Sequence, residues 1–170
     1  DSLKPDFDYL RGVARGELVI ADRTLADDRW IVAFQPDDGP TSYYLYRRAG
    51  DDGQRQAELL FVTRPELAEY PLTNMQPVEI PARDGLTLPS YLTLPVQVDG
   101  SKPAAPLPMV LLVHGGPWAR DHWGYDAQAQ WLANRGYAVL QVNFRGSTGF
   151  GKAFLNAGNE EWGVGAMQHD

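Results

Sequence analysis

Residues 109–117 read Met-Val-Leu-Leu-Val-His-Gly-Gly-Pro, an apolar run followed directly by a glycine-rich turn. A run of apolar residues is expected where both faces of a sheet are covered, so we predict a buried parallel strand over Met109–Val113. The sequence His114-Gly115-Gly116-Pro117 follows at the carboxyl end of that strand, where open α/β sheets bind their ligands. Paired glycines let the backbone approach a ligand and present its N–H groups to it. Such donors can stabilise an oxyanion by about 3–4 kcal/mol each, whereas the alternative is a tight turn without a ligand.

A β-hairpin is predicted before this strand. Asp84-Gly85 lies between two apolar runs, Val78–Ile80 and Leu86–Leu94, and this arrangement favours a hairpin turn. Pro89 has no N–H to donate to a neighbouring strand. We therefore predict that the second strand of the hairpin lies at an edge of its sheet.

A strand–helix–strand unit is predicted after the hairpin. We expect a helix over Asp126–Arg135 that ends at a C-terminal cap formed by Gly136, followed by a second buried strand over Ala138–Phe144. The apolar face of the helix is predicted to contain Ala127, Trp131 and Leu132. A helical crossover makes the two buried strands parallel. The second half of the chain is therefore predicted to be an α/β layer with an antiparallel hairpin at its front.

The first half of the chain, up to about residue 76, has the pattern of an all-β segment. Short apolar runs recur between turns rich in Gly, Asp and Pro, at Glu17–Ala21, Trp30–Phe34, Tyr43–Tyr46 and Leu59–Val62. This pattern predicts a β-meander of the kind found in sandwiches and propeller blades, or alternatively a small independent sheet. The stretch Leu67–Pro77 contains two prolines and is the predicted linker between the halves.

The composition of the 170 residues excludes several classes of protein. Hydrophobic residues make up 44% of the chain and the formal net charge is −7, which argues against wholesale disorder and against nucleic acid as a partner. The longest apolar run is too short to cross a bilayer. The chain has no cysteine, and its 3 histidines lack metal-ligand spacing, so we predict no disulfide, no metal and no cofactor. The compartment stays open: cytoplasmic, periplasmic and secreted locations all fit.

A second glycine-rich loop follows the second predicted buried strand. Residues 146–152 match a phosphate-binding loop, but Ala153 stands where Ser or Thr would hold magnesium, so nucleotide binding is disfavoured. The alternative is a loop beside a cleft, with Arg145 paired to an acidic neighbour. No serine, Ser147 included, lies in a G-x-S-x-G pattern, and we predict no nucleophile in this chain.

Together these motifs resemble the prolyl oligopeptidase family of serine peptidases, and most of all its acylaminoacyl-peptidase and dipeptidyl-peptidase-like branch. The motifs that carry the resemblance are Met75-Gln76-Pro77-Val78, Arg83-Asp84-Gly85-Leu86, Tyr91-Leu92-Thr93-Leu94-Pro95, His114-Gly115-Gly116-Pro117, Gly136-Tyr137-Ala138-Val139, Asn143, Arg145-Gly146-Ser147-Thr148-Gly149 and Trp162-Gly163. They occur in order over residues 75–170. Residues 1–70 are similar only in kind, and they resemble the last blade of that family's β-propeller.

The resemblance implies an α/β fold in two parts. Residues 1–70 would be the last propeller blade, and residues 71–170 would be the first part of an α/β-hydrolase domain, ending before the nucleophile elbow. The Ser, Asp and His of the family's catalytic triad would follow later in the chain. Because the chain begins at Asp1 rather than Met, we expect it to be a segment of a longer protein or a processed product.

The resemblance also implies roles for particular residues. Gly116 would donate its backbone N–H to the oxyanion and Gly115 would shape the turn, while Tyr125 and Arg145 would lie near the substrate cavity. The complete protein would hydrolyse short peptides through an acyl-enzyme. The 170 residues alone would be inactive, because nucleophile, base and orienting acid are all required.

Two other functions stay open at this point. The chain could belong to a carboxylesterase that also uses a His-Gly-Gly loop, or it could be a truncated or split-gene fragment that acts as a non-catalytic binding module. A partial α/β layer leaves an apolar sheet edge uncovered. We therefore expect the missing remainder of the chain, or another copy of it, to cover that edge.

Overall fold

The structure contains two sheets, each in its own compact unit. This computed structural model describes residues 2–49, 53–96, 103–163 and 165–170. The two units are Asp1–Pro71 and Leu72–Asp170. The sequence predicts that the first unit is a propeller blade and that the second is part of a hydrolase domain, and both identities stay predictions.

In the described part of the first unit, a short α-helix precedes four antiparallel strands. The helix α1 is Lys4–Leu10, and the strands are β1 Glu17–Arg23, β2 Arg29–Gln35, β3 Ser42–Arg47 and β4 Gln56–Val62. Each strand pairs with the next one along the chain, so the sheet has the order β1-β2-β3-β4. The sequence predicts this meander but not α1, because seven residues are too few to show a helical period.

A buried carboxylate connects α1 to the sheet of the first unit. The Asp6 side chain is 2% exposed and accepts hydrogen bonds from Tyr46, Arg48 and Arg55 at 2.7–3.1 Å. Burial alone would raise the pKa of Asp6, but these hydrogen bonds outweigh burial and hold the pKa below its usual range. Around this group lies the apolar core formed by Leu10, Trp30, Val32, Phe34 and Tyr46.

A mixed sheet with two short helices makes up the second unit. Its elements are β5 Met75–Pro81, β6 Thr87–Thr93, β7 Met109–Leu111, α2 Ala127–Ala133, β8 Ala138–Val142 and α3 Lys152–Asn156. The strand order is β5-β6-β8-β7. Strands β5 and β6 form an antiparallel hairpin, β8 is antiparallel to β6, and β7 is parallel to β8. Among the described residues, no helix combines the length and the apolar character needed to cross a membrane.

The predicted edge position of the strand that contains Pro89 is wrong. Strand β6 lies between β5 and β8. The Pro89 carbonyl accepts the Asn143 N–H at 3.1 Å, so this residue directs its backbone groups toward β8 rather than β5. The pairing of β6 with β8 begins only at Ser90. The missing N–H of Pro89 therefore falls at the end of β8, where it breaks no ladder hydrogen bond.

Strand β7 is shorter and more exposed than the sequence predicts. The predicted strand covers Met109–Val113, but β7 ends at Leu111. Met109, Leu111 and Val113 are 58%, 56% and 57% exposed. Among the described strands, β7 pairs only with β8 and lies at the edge of the sheet. An apolar run indicates which residues can be buried, but it carries no information about the order of strands.

The predicted apolar face of α2 is also wrong, although the helix lies close to its predicted position. Trp131 is 56% exposed, and the buried residues are Ala129, Gln130 and Ala133. Gln130 can occupy the buried face because its side-chain amide accepts the Thr73 N–H at 3.1 Å and donates to the Thr73 carbonyl at 2.6 Å. The helix begins after Asp126, whose carboxylate accepts the Ala129 N–H.

Candidate functional site

The predicted oxyanion loop lies at the carboxyl end of the mixed sheet. Residues 114–117 follow β7, and residues 143–149 follow the parallel strand β8. Because β7 and β8 are parallel, their carboxyl ends lie at the same end of the sheet, and the two glycine-rich loops that follow them lie side by side.

The two glycines of the loop differ in their need to be glycine. Gly116 has φ +147°, and a Cβ atom on it would lie 2.8 Å from the Trp118 backbone nitrogen. A Cβ atom on Gly115 would meet nothing within 4 Å. The loop therefore tolerates a side chain at the first glycine but not at the second.

The His114 side chain holds the backbone of this loop. Its ring stacks on Phe144, with 4.4 Å between ring centroids and 15° between ring planes. Nδ1 lies 2.8 Å from the Gly115 carbonyl oxygen, and Nε2 lies 3.0 Å from Ser147 Oγ. A carbonyl oxygen only accepts hydrogen bonds, so the hydrogen-bond network assigns a proton to Nδ1.

The bond from His114 to the Gly115 carbonyl sets the direction of the Gly116 N–H. The carbonyl of Gly115 and the N–H of Gly116 belong to one planar trans peptide unit, in which the two groups point in opposite directions. Because the imidazole donates a hydrogen bond to the Gly115 carbonyl, the Gly116 N–H points away from the imidazole. His114 is therefore a positioning residue for the predicted oxyanion donor.

Ser147 contacts the His114 imidazole of the candidate site, a contact that was not predicted from the sequence. Its side chain is fully buried, and its hydroxyl lies 2.7 Å from the Phe144 carbonyl as well as 3.0 Å from His114 Nε2. The Ser147 hydroxyl can donate its proton to either the Phe144 carbonyl oxygen or His114 Nε2. One signal in the sequence could have identified the pair His114 and Ser147. The histidine directly follows one predicted parallel strand, and the serine shortly follows the next.

Arg145 is paired with two carboxylates, as the alternative interpretation of its loop predicts. Its guanidinium donates to Asp84 at 2.8 and 3.0 Å and to Asp170 at 2.7 Å through two nitrogens. The hydrogen bonds from Arg145 lower the pKa of Asp84 to about 2. The Arg145 backbone N–H also donates to Asp170, at 3.0 Å. The guanidinium thus joins the loop after β8 to the turn between β5 and β6.

Tyr125 is not brought into this hydrogen-bond network. It is half-buried and directly precedes Asp126, the N-cap of α2. Within the described part of the chain, its side chain makes no hydrogen bond to Gly115, Gly116 or Arg145.

The described residues also contain no group of three or more His, Asp or Glu side chains arranged to hold a metal ion, and the absence of a metal or cofactor stays a prediction.

Asp121 forms a second polar group beside the loop, which the sequence did not indicate. Burial raises the pKa of its carboxyl. Its Oδ1 atom receives only a long hydrogen bond from Gln141 Nε2, at 3.4 Å. Three buried oxygens in this region, Asp121 Oδ2, Gln141 Oε1 and Thr93 Oγ1, have no hydrogen-bond partner among the described residues. The site therefore favours a neutral side chain with a donor at position 121.

We expect Asp121→Asn to raise the free energy of unfolding by about 1 kcal/mol at pH 8, because the amide supplies a donor and removes a buried charge. The folded-state pKa of Asp121 is raised, so the wild-type protein loses stability as pH rises through that pKa. The gain should therefore shrink at low pH. Urea unfolding measured from pH 4 to pH 8 tests this.

Asp84→Asn is the control of opposite sign for this prediction. The pKa of Asp84 is lowered, so its contribution to stability is present at neutral pH and is lost as pH falls. Its replacement should destabilise the protein at pH 8. An Asp121→Asn protein less stable than wild type at pH 8 would contradict the assignment.

A second prediction concerns the loop glycines. Gly116→Ala should destabilise the protein by about 1–3 kcal/mol, because the new Cβ meets the Trp118 nitrogen and the backbone is held at positive φ. Gly115→Ala is the matched control and should have little effect. Thermal unfolding of the two variants measures the difference, and equal stabilities would show that the loop geometry is wrong.

Comparison with known proteins identifies relatives over nearly the whole chain. Residues 123–169 match the prolyl oligopeptidase family model. The chain is 51% identical to dipeptidyl aminopeptidase BIII of Pseudoxanthomonas mexicana over 99% of its own length and 24% of that protein. It is 42% identical to dipeptidyl peptidase family member 6 of Caenorhabditis elegans over 96% of its length and 24% of that protein.

Solved structures give the same relationship. A puromycin hydrolase superposes with a TM-score of 0.65 at 27% identity, covering 90% of this chain and 23% of that one. The acylaminoacyl peptidase of Pyrococcus horikoshii has a TM-score of 0.66 at 24% identity, covering 90% of this chain and 23% of that one, and shows the shared fold. The chain thus spans about a quarter of the length of these relatives. The resemblance predicted from the sequence motifs is confirmed.

Proposed function

This chain is similar to members of the prolyl oligopeptidase family, and from that similarity we propose that it is part of a serine peptidase. The complete protein hydrolyses peptide bonds of short peptides through an acyl-enzyme. The observation that carries this proposal is the hydrogen bond from His114 to the Gly115 carbonyl. It turns the Gly116 N–H away from the imidazole at the carboxyl end of the sheet, which is where a substrate carbonyl would need a donor.

In this proposal the chain supplies part of the oxyanion hole rather than the nucleophile. The Gly116 N–H stabilises the negative charge that develops on the carbonyl oxygen when the acyl-enzyme forms and breaks down. Gly115 shapes the turn and His114 orients it. The triad of Ser, Asp and His, together with the second oxyanion donor, comes from the part of the complete protein that follows this segment.

Tyr125 and Arg145 are proposed to lie near the substrate cavity. The Arg145 guanidinium forms ion pairs with Asp84 and Asp170. Arg145 therefore contributes by holding the loop after β8 in place. Tyr125, which precedes α2, keeps its hydroxyl available for a peptide.

The two units correspond in this proposal to the last propeller blade and the first strands of a hydrolase sheet. Met109, Leu111 and Val113 expose apolar side chains along the edge strand β7 and just beyond it. We propose that the remainder of the complete protein covers this edge, since an exposed apolar edge strand favours association.

Covalent labelling with a fluorophosphonate probe tests the proposed function. The complete protein should be labelled at a serine outside these 170 residues, and the 170-residue segment alone should not be labelled. Hydrolysis of peptide and ester substrates, measured in parallel, distinguishes a peptidase from the carboxylesterase alternative. A labelled segment would contradict the predicted absence of a nucleophile, and an unlabelled complete protein would favour a non-catalytic binding module.

His114→Ala in the complete protein tests the positioning role of the imidazole. We expect kcat to fall about 10- to 1000-fold, because the Gly116 N–H loses its fixed direction, while KM changes little. His122→Ala, at an exposed loop position, is the matched control and should keep its activity. An unchanged kcat, or a loss confined to KM, would show that His114 does not orient the oxyanion donor.

A further inference from the structure

Two exposed indoles lie beside the candidate oxyanion loop. Trp118 is 61% exposed and Trp162 is 48% exposed. Their rings meet edge to face, with 5.1 Å between centroids and 67° between planes. A contiguous exposed aromatic surface of this kind is typical of a binding site.

The position of the pair is set by close backbone contacts on both sides. Trp118 follows the loop directly, and its backbone nitrogen would lie 2.8 Å from a Cβ atom placed on Gly116. On the other side, a Cβ atom on Gly158 would lie 2.8 Å from the Gly146 Cα. The segment that leads to Trp162 is therefore packed against the loop after β8. Trp118 is two residues after Gly116, and Trp162 contacts Trp118, so the aromatic pair adjoins the loop that carries the Gly116 N–H.

A carboxylate stands next to this aromatic pair. A surface depression is lined by Asn159, Glu160 and Trp162. Glu160 is exposed, and within the described part of the chain its carboxylate has no hydrogen-bond or ion-pair partner. The adjacent Glu161 differs, because its carboxylate accepts the Ala166 N–H at 2.7 Å. Glu160 and Trp162 line the same depression, and Glu160 adds a negative charge to it.

We propose that Trp118, Trp162 and Glu160 form a subsite for the positively charged side chain of a lysine or arginine residue in the peptide substrate. The apolar stem of such a side chain packs on the indoles, and its cationic end is attracted by the ring faces and by the carboxylate. A neutral apolar side chain would use the indoles and leave Glu160 unpaired. This inference rests on the proposed function, because it assigns the side chain to the substrate of that site.

The test compares peptides that differ only in charge. Short fluorogenic peptides carry either lysine or the uncharged norleucine next to the scissile bond and are hydrolysed by the complete protein. We expect kcat/KM to be about tenfold higher for lysine, which corresponds to about 1.4 kcal/mol. Glu160→Gln should remove this preference, whereas Glu79→Gln, an exposed glutamate of β5, should leave it unchanged. Salt should weaken the preference, since screening acts on exposed charges.

The role of the indoles is tested by Trp162→Leu, which should lower kcat/KM for both peptides. Equal rates for lysine and norleucine in the wild-type protein, or a preference that Glu160→Gln does not alter, would overturn the proposal. N-acetylated peptides identify the source of the cation. If Glu160→Gln matters only for peptides with a free amino terminus, Glu160 binds the terminal ammonium and the side-chain assignment is wrong.

Binding measured without catalysis separates this proposal from the proposed function. Titration of tryptophan fluorescence gives Kd for the lysine and norleucine peptides. A tenfold difference in Kd that Glu160→Gln removes supports the subsite even if no peptide is hydrolysed, in which case the peptidase assignment fails. Equal Kd values alongside normal hydrolysis overturn the subsite and leave the peptidase assignment in place.

Discussion

The parallel pairing of β7 with β8 is the constraint on which the candidate site depends. Val110 lies opposite Val139 in this pair, so the carboxyl ends of both strands lie at the same end of the sheet. That placement allows the His114 ring to stack on Phe144 and to reach Ser147. The imidazole can then hold the Gly115 carbonyl. Every later step, including the direction of the Gly116 N–H, follows from this one strand pairing.

Both units also contain a buried charged side chain that is surrounded by opposite charges. In the second unit Arg145 is held by Asp84 and Asp170. In the first unit Asp6 is held by arginines and by Tyr46. Because an unpaired buried charge is costly, each group requires its partners in one arrangement. The ion pairs of Arg145 therefore hold the loop after β8 to the turn between β5 and β6.

Most errors of the sequence-based fold concern packing and partner choice, whereas α1 was missed because a seven-residue helix is too short to show its period. Turn residues and apolar runs are local signals, so the meander, the hairpin and the strand–helix–strand unit could be predicted. The central position of the Pro89 strand depends on which strands are neighbours. Met109, Leu111 and Val113 alternate along the chain and therefore lie on one face of the sheet, so their exposure depends on what packs against that face. The buried position of Gln130 depends on Thr73, which lies 57 residues away in the chain. No local pattern contains that information.

The sequence alone was enough to predict the glycine-rich loops, their place after apolar strands, an acidic partner of Arg145 as one of two alternatives, and the resemblance to a peptidase family. These features can be recognised from short runs of consecutive residues, because the backbone freedom of glycine and the formation of a strand are local properties. The contact of His114 with Ser147, the pairing of Arg145 with both Asp84 and Asp170, and the edge-to-face contact of Trp162 with Trp118 could be seen only in the folded chain. Contacts between distant residues depend on how the strands and loops pack, and that packing is a property of the whole unit.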